Sequence, residues 1–595
     1  MASAERAAAA DGITAPRFSS RRRLLLAGCG VACLLVSAVS VFLRFRVPVP
    51  VGLSYFDDIL FIRSATFIAQ RDWLGPFDNV TLAKGPAYPV FIAGMHYLGI
   101  PLKVGEQLTV LAAAAALAGC VRLAARSLLL ATGVYVLLAL DPINFNAQSA
   151  ELVRDGWYGS LTLLFVALVF LAVFATLYRF AVPWRVLSSL TAGFVGGTLW
   201  LCREEGPTIL PPIAVVAIGL PALVLTQRWL AVPRAARHLR LARPVMLRLG
   251  LVLGLAATTF ALPIIAVDLV NDRYYGVALA NDTAAGTMPR AFADWTRVQA
   301  GTPVFQAPIT EAQRFAVYAV SPAALELADT LENPDFSWRQ FSCADGATPG
   351  CEYLGAFMAW AIRDAARNAG HFTSESEAQA YFGRLSDEIE AACDNGRLQC
   401  APRLPAALQS LQRASAQNLI DAFGSVFTTA VLSRDFYEPI EPASSAVVTP
   451  DLRAQTAAVV GGIPIDQAGA DQKLAAFQAR SWPYTALGAV YTILVPLLSI
   501  LALGGLVLGC WRRQSPRSTL LVLTVALGVG FGVRTTLLAL ISATDFDADI
   551  VRYQLPSHMF LISFGLVGTA FLLAAVRPRP DTRQAETGAM PAAAG

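Results

Sequence analysis

Long apolar runs alternate with short polar stretches along most of this chain. Runs approaching the ~20 residues that a helix needs to cross a bilayer fall at 24–43, 104–121, 126–140, 157–177, 186–201, 207–226, 249–269, 484–510, 518–543 and 556–576. They predict a mainly α, polytopic bundle of about ten transmembrane helices. Between the seventh and eighth runs the pattern changes to acids, amides, prolines and amphipathic segments such as "SEAQAYFGRLSDEIEAA". This stretch, 271–482, is long enough to bury a core of its own and predicts an inserted, largely helical domain. The chain then divides into a tail (1–20), a first membrane module (21–270) whose first outer loop is 46–103, the inserted domain (271–482), a second membrane module (483–577) and a tail (578–595). Both tails read as disordered.

Composition sharpens the class. With 55% hydrophobic residues, 15% charged residues and a mean hydropathy of +0.53, an ordinary soluble protein is excluded. Basic residues are retained on the cytoplasmic side of short loops. "RFSSRRR" therefore puts the N-terminus inside, and alternation places "RLAAR", "YRFAVPWR", the segment Arg228 to Arg248, "WRRQSPR" and "RPRPDTR" on that side too. The Arg228 to Arg248 segment carries six arginines and no acid. The expected location is the inner (plasma) membrane, multi-pass, with both termini cytoplasmic and 271–482 extracytoplasmic. Arg44 and Arg46 sit on the opposite side of the first span, so the rule holds in the aggregate. "LAGC", ending at Cys29, looks like a lipid-attachment box, but the apolar run continues past it and reads as an uncleaved anchor.

The cysteines agree with that orientation. Cys343, Cys351, Cys393 and Cys400 form two close pairs in the domain placed outside, where disulfides 343–351 and 393–400 are the natural pairing. Neither pair has zinc-site spacing and no histidine accompanies them.

Four polar clusters gather at the predicted outer ends of the spans. "SYFDD" carries Asp57 and Asp58 at the start of an interfacial helix, where adjacent side chains diverge by about 100°. One carboxylate can then act as a base while the other caps the helix; a pair of solvated N-terminal residues is the competing reading. "NAQSAELVRDGWYGS" carries Glu151, Arg154 and Asp155, which on a helix form an ion-paired face or an entry salt bridge. "CREEGPTILPP" holds Arg203, Glu204 and Glu205 close to the bilayer because the connection is short. "TDFDADIVRYQLPSHMF" carries Asp545, Asp547, Asp549, Arg552, Tyr553 and His558; its D-x-D-x-D pattern lacks the glycine and distal glutamate of a calcium loop. Arg534 lies inside the ninth run, where an arginine costs about 2.5 to 3.5 kcal/mol and calls for a partner, a lipid headgroup or a loop carboxylate. Snorkelling to the interface is the alternative.

Carboxylates, Lys84 and several arginines ringing one end of a bundle suit a substrate that is anionic and lipid-borne. Outside the inner membrane there are no nucleotide sugars, so group transfer there draws on an activated lipid such as a polyprenyl-phosphate sugar. An outer loop with Asp-Asp, an interfacial helix and then "KGPAYPVFIAGMHYLG" resembles the GT-C class of membrane glycosyltransferases. The branch it resembles contains lipid A aminoarabinose transferases, protein O-mannosyltransferases and related lipopolysaccharide-core transferases. "GGTLWLCREEGPTILPP" is similar to that branch's Gly-rich span followed by Lys-Gly-Pro, with Glu205 in place of the lysine, and "VRYQLPSHMF" is similar to its Arg-Tyr-x-x-Pro element. The domain 271–482 matches no module of that branch, and several of its members have more spans.

The resemblance implies an inverting transfer of a monosaccharide from a polyprenyl-phosphate donor to an extracytoplasmic lipid, glycan or protein. Asp58 would be the base, with Asp57 the other candidate. Lys84 and Arg552 would hold the phosphate and Arg534 would assist from deeper in the bundle. Asp155 and Glu204 would bind sugar hydroxyls or orient the base, and Tyr88, Arg154 and His558 complete the expected substrate-binding set. No cofactor is required, though the acidic loops leave room for a divalent cation; no metal site and no nucleic-acid partner is expected. On this reading Asp58, Lys84, Asp155, Glu204 and Arg552 converge on one outward cavity. A secondary transporter or flippase is the alternative, and it predicts paired broken helices in two related halves. A receptor whose spans only anchor the outer domain is a third.

Overall fold

A computed structural model describes residues 20–47, 49, 55–231, 243–344, 351–404, 414–432, 450–461, 479–511 and 518–576. The expected tails, apart from Ser20 and the boundary, lie outside the described residues, as do 232–242 of the arginine-rich segment and 512–517. Every named element among the described residues is helical, and an isolated β bridge joins Val298 and Cys400.

The first membrane module contains α1 (Ser20–Arg46), α2 (Tyr55–Ala69), α3 (Ala87–Tyr97), α4 (Leu102–Ala125), α5 (Leu128–Ala139), α6 (Asp155–Leu177), α7 (Val182–Trp200), α8 (Gly206–Leu230) and α9 (Arg243–Tyr275). The inserted domain follows with α10 (Thr287–Thr296), α11 (Glu311–Tyr318), α12 (Ser337–Ala344), α13 (Gly355–Asn368) and α14 (Glu375–Asp394). After it come α15 (Ala416–Leu432) and α16 (Pro450–Val460), and then α17 (Trp482–Trp511), α18 (Ser518–Thr544) and α19 (Val551–Val576).

Nine helices among the described residues are long and apolar enough to cross a membrane: α1, α4, the stretch from α5 through Phe145, α6, α8, α9, α17, α18 and α19. The run expected at 186–201 is α7, which stands outside those nine because Arg185 and a set of serines, threonines and glycines dilute its apolar character. It nevertheless packs between α6 and α9. Three glycines make that packing close. A Cβ on Gly193 would lie 2.1 Å from the Ala256 carbonyl oxygen, and one on Gly197 would lie 2.3 Å from that of Phe260. Small residues let helix backbones approach where lipid offers no hydrophobic drive of its own.

The bundle core centres on α6 and α19, whose faces are buried along most of their length. A second core fills the inserted domain, built on Trp295, Tyr353, Met358, Tyr381 and Phe382. The cysteines of that domain pair as Cys343–Cys351 and Cys393–Cys400. The domain is tied to the first outer loop through Arg363, which is fully buried: its Nε donates to the Asn79 carbonyl at 2.7 Å and its Nη1 meets Asp282 at 2.8 Å. Asp282 N donates in turn to the Leu82 carbonyl, and Thr283 Oγ1 to that of Ala83. Both α15 and α16 pack on the bundle, the first against α18 and α19, the second against α2 and α3.

Substituting Gly197→Val should force α7 off α9 and cost about 1–3 kcal/mol, as overpacked cores do. The control Gly250→Val, with open space around its Cβ, should leave the thermal midpoint in detergent unchanged. Equal midpoints for both variants would show that the α7–α9 contact is looser than described.

Candidate active site

Helix α2 begins where the chain leaves the first span, and its first turn carries both aspartates. Their side chains diverge as the helical period requires. Asp58 is buried, 1% exposed, and its Oδ1 accepts from the Ile59 N–H at 2.8 Å. Asp57 faces the other way, between Lys84 Nζ at 3.4 Å and Arg552 Nη2 at 2.5 Å. All three side chains remain partly open to solvent, Asp57 at 18%, Lys84 at 20% and Arg552 at 15%.

Each neighbour of Asp57 is placed by a distinct local constraint. Lys84 precedes Gly85, whose position admits no side chain: a Cβ there would stand 2.0 Å from the Leu201 carbonyl oxygen. The Gly85 backbone therefore lies directly against Leu201, at the end of α7 that leads into Arg203 and Glu205. Arg552 lies in the first turn of α19, and Pro556, four residues on and inside the helix, has no N–H to offer the Arg552 carbonyl. Gly159 of α6 lets that part of α19 come close, since a Cβ there would be 3.3 Å from Pro556 Cα.

From Arg552 the network runs on without a break. Its Nε is 3.5 Å from Asp155 Oδ2 and its Nη1 is 3.9 Å from Glu151 Oε2. Asp155 pairs with Arg203, which also holds Glu205 at 3.0 Å, and Glu205 pairs with Arg534. Arg534 thus finds a loop carboxylate, the second of the two partners its position in α18 called for. Its Nη2 also donates to the Tyr553 carbonyl at 3.3 Å. Beside this line Arg154 grips Glu204 with both nitrogens, at 3.1 and 2.7 Å, and donates to the Cys202 carbonyl at 2.7 Å. Asn281 of the inserted segment donates to the same Glu204 carboxylate at 2.8 Å.

Lys84, Arg154, Arg203, Arg534 and Arg552 are thereby matched by Asp57, Glu151, Asp155, Glu204 and Glu205. Burial alone pushes the Asp57 carboxyl up, but Lys84, Arg552 and Arg154 outweigh it and hold the group well below the usual carboxylate range. Burial lowers the Lys84 ammonium, with Asp57 opposing. Glu204, which burial would raise, is brought down to about 2 by Arg154 and Lys84. Lys84 Nζ also stands 5.4 Å from the centre of the Trp360 ring of α13, so the inserted domain reaches the site.

Of the five residues expected to share one outward cavity, Lys84 and Arg552 pair with Asp57, Asp155 joins them through Arg552, Glu204 pairs with Arg154 beside them, and Asp58 turns inward. Two expected substrate-binding residues lie elsewhere. His558 is fully buried, its Nε2 3.0 Å from Asp141 Oδ2 inside the bundle. Tyr88 donates to Glu106 at 2.7 Å in a second buried cluster, where Glu106 also meets Lys103 at 2.9 Å and Arg44 at 3.1 Å. That cluster accounts for Arg44 at the predicted outer end of its span: the guanidinium is neutralised inside the protein. Its signal in the sequence was a lysine and a glutamate three residues apart at the head of a span adjacent to an arginine-tipped one. Arg203 and Glu205 belong to the network although sequence reasoning chose only Glu204 from their loop. The aspartates of 545–549 act separately, Asp549 accepting from Ser425 at 2.6 Å. Among the described residues no group of three or more His, Cys, Asp or Glu is arranged to hold a metal ion.

No protein-family model matches the chain, and no curated protein matches it. Among solved structures, the crystal structure of ArnT from Cupriavidus metallidurans in the apo state is similar over 93% of this chain and 78% of that chain, at 13% identity and a TM-score of 0.29.

The depressed Glu204 carboxyl has a signed consequence for stability. A carboxyl that drops from 4.5 to about 2 on folding contributes fully above pH 4.5 and loses that contribution as the pH falls toward 2. The wild-type chain should therefore exceed Glu204→Gln in unfolding midpoint at neutral pH, with the gap closing across that window. A gap that stays constant from neutrality to pH 2 would show that the Arg154–Glu204 pair contributes nothing.

Proposed function

We propose that this chain is a membrane glycosyltransferase that moves a monosaccharide from a polyprenyl-phosphate donor to an extracytoplasmic acceptor, with inversion at the anomeric carbon. The observation that carries the reading is Asp57, a partly exposed carboxylate gripped on both sides by cations, Lys84 and Arg552.

That arrangement suits a base armed by its substrate. While Lys84 and Arg552 are paired with Asp57, its carboxylate is too weakly basic to take a proton from a hydroxyl. A lipid phosphodiester entering the site competes for the same two cations, and as its bond to the sugar breaks it gains a second negative charge that they can hold. Their hold on Asp57 then weakens, and the burial that already pushes this carboxyl upward is left to dominate. The base strengthens as the leaving group is secured. The acceptor hydroxyl gives its proton to Asp57 as its oxygen attacks the anomeric carbon, and the bond from that carbon to the phosphate oxygen breaks on the opposite side. Lys84 and Arg552 stabilise the charge that develops on the departing polyprenyl phosphate. Asp58, turned inward on the Ile59 N–H, supports the start of α2 in this scheme.

Arg203 and Arg534 sit behind this pair and keep Asp155 and Glu205 neutralised, so neither carboxylate repels the incoming phosphate. Arg154 and Glu204, tied to Asn281, would meet the sugar, and the inserted domain would place the acceptor above Lys84. The proposed location is the inner membrane, with this face of the bundle and the domain 271–482 outside and both termini in the cytoplasm.

The test is label transfer from a pool of polyprenyl-phosphate sugars by the full chain in proteoliposomes, with a broad envelope extract as acceptor. Asp57→Asn should lower transfer by roughly 10²- to 10⁴-fold, the usual worth of a positioned base, while Asp58→Asn, if folded, should retain most of it. Loss in Asp58→Asn alone would move the base to that residue. The absence of transfer from every donor in the wild-type chain would remove the transferase reading and favour a transporter.

A further inference from the structure

At the end of the bundle opposite Asp57, a cavity of about 510 Å³ opens between α1, the α4–α5 turn and the last turns of α19. Its cationic lining consists of Arg122 and Arg126, four residues apart across the end of α4. Like charges at that spacing repel. Among the described residues no carboxylate lines the cavity to relieve them. The first turn of α5, capped by Ser127, forms another wall and adds the partial positive charge of a helix N-terminus. The end of α4 also lines the cavity, and its partial negative charge offsets that of the α5 N-terminus, so the two guanidiniums set the sign of the site.

The remaining walls are apolar, and they identify what kind of anion fits. Leu25 and Leu26 of α1 and Leu129 of α5 line the cavity and are 47%, 43% and 60% exposed, in two helices long and apolar enough to span the membrane. In a bilayer these side chains face acyl chains. A soluble phosphate would satisfy the two guanidiniums and leave the leucine walls empty. An amphiphile with an anionic head and acyl tails satisfies both.

We propose that this cavity binds the headgroup of an anionic phospholipid from the leaflet on that side of the membrane. The phosphate lies between Arg122 and Arg126 at the start of α5, and the acyl chains run along Leu25, Leu26 and Leu129. Basic pockets between transmembrane helices are suited to this role. The site stands apart from the Asp57 network and does not depend on the transferase reading.

The experiment titrates the delipidated full chain in detergent with phosphatidylglycerol, phosphatidylcholine and inorganic phosphate, and reads retained lipid by native mass spectrometry. The expected result is tight retention of one phosphatidylglycerol, with no comparable retention of phosphatidylcholine and no displacement by phosphate. Arg122→Gln combined with Arg126→Gln should weaken retention on the order of tenfold. Arg243→Gln combined with Arg248→Gln, removing the same charge from the same end of the bundle, should weaken it less than twofold. Equal loss in both double variants would mean a diffuse field and overturn the site. Equal retention of phosphatidylcholine would remove the charge recognition, and displacement by inorganic phosphate would make the ligand a soluble anion. If the Arg122/Arg126 double variant does not fold, Arg126→Gln alone, at an exposed turn, gives the same discrimination.

Discussion

A charge buried between the helices of a bundle must be neutralised by the protein, because water is scarce there and each unpaired ion costs several kcal/mol. The line from Lys84 through Asp57, Arg552, Asp155, Arg203 and Glu205 to Arg534 obeys that constraint link by link. Its members come from α2, the first outer loop, α6, the α7–α8 connection, α18 and α19. No two adjacent links lie on one helix, apart from the Arg203–Glu205 step within a loop. Local structure alone therefore cannot complete the network, and the bundle must close before its charges are satisfied. The same requirement explains the close backbone approaches nearby, since Gly85 and Gly159 are where a side chain would hold the charged segments apart.

Stability and chemistry draw on the same groups. A network this balanced has little spare charge, so on the proposed reading an incoming anion would bind by exchanging places with a carboxylate already present. Asp57 is the carboxylate best placed to be exchanged, because it is the most exposed carboxylate of the line and its partners are the two most accessible cations. Farther in, Asp155 and Arg534 are almost wholly buried, and removing either would strand a partner. The order of the network thus separates an end that can respond from an end that holds the helices together. The inserted domain joins the responsive end twice, through Asn281 on Glu204 and through the Trp360 ring beside Lys84.

Much of this arrangement was legible in the chain before folding. Apolar run lengths marked the helices, and the one run that falls outside the nine span-like helices, α7, is the one diluted by hydroxyl residues and by the glycines that pack it against α9. The polar clusters at 57–58, 151–155, 203–205 and 552 were visible as charges that a membrane protein has no reason to keep without partners. His558 and Tyr88 were misplaced by the same reasoning, because they share segments with network residues but point to other faces. Segment membership gives a residue's neighbourhood and leaves its direction open.

The sequence by itself determined that this is a multi-span helical membrane protein with an inserted helical domain and with the carboxylates of its membrane modules concentrated at one set of helix ends. Those properties depend on run length, periodicity and composition, which are local. Which aspartate of the pair meets the cations, that Arg534 answers Glu205, and that Arg44 is neutralised by Glu106 were decided only by tertiary structure. The reason is physical: charge pairing in a bundle joins residues from 62 to 495 positions apart, and a rotation of about 100° at one helix start exchanges the buried carboxylate for the one between the cations.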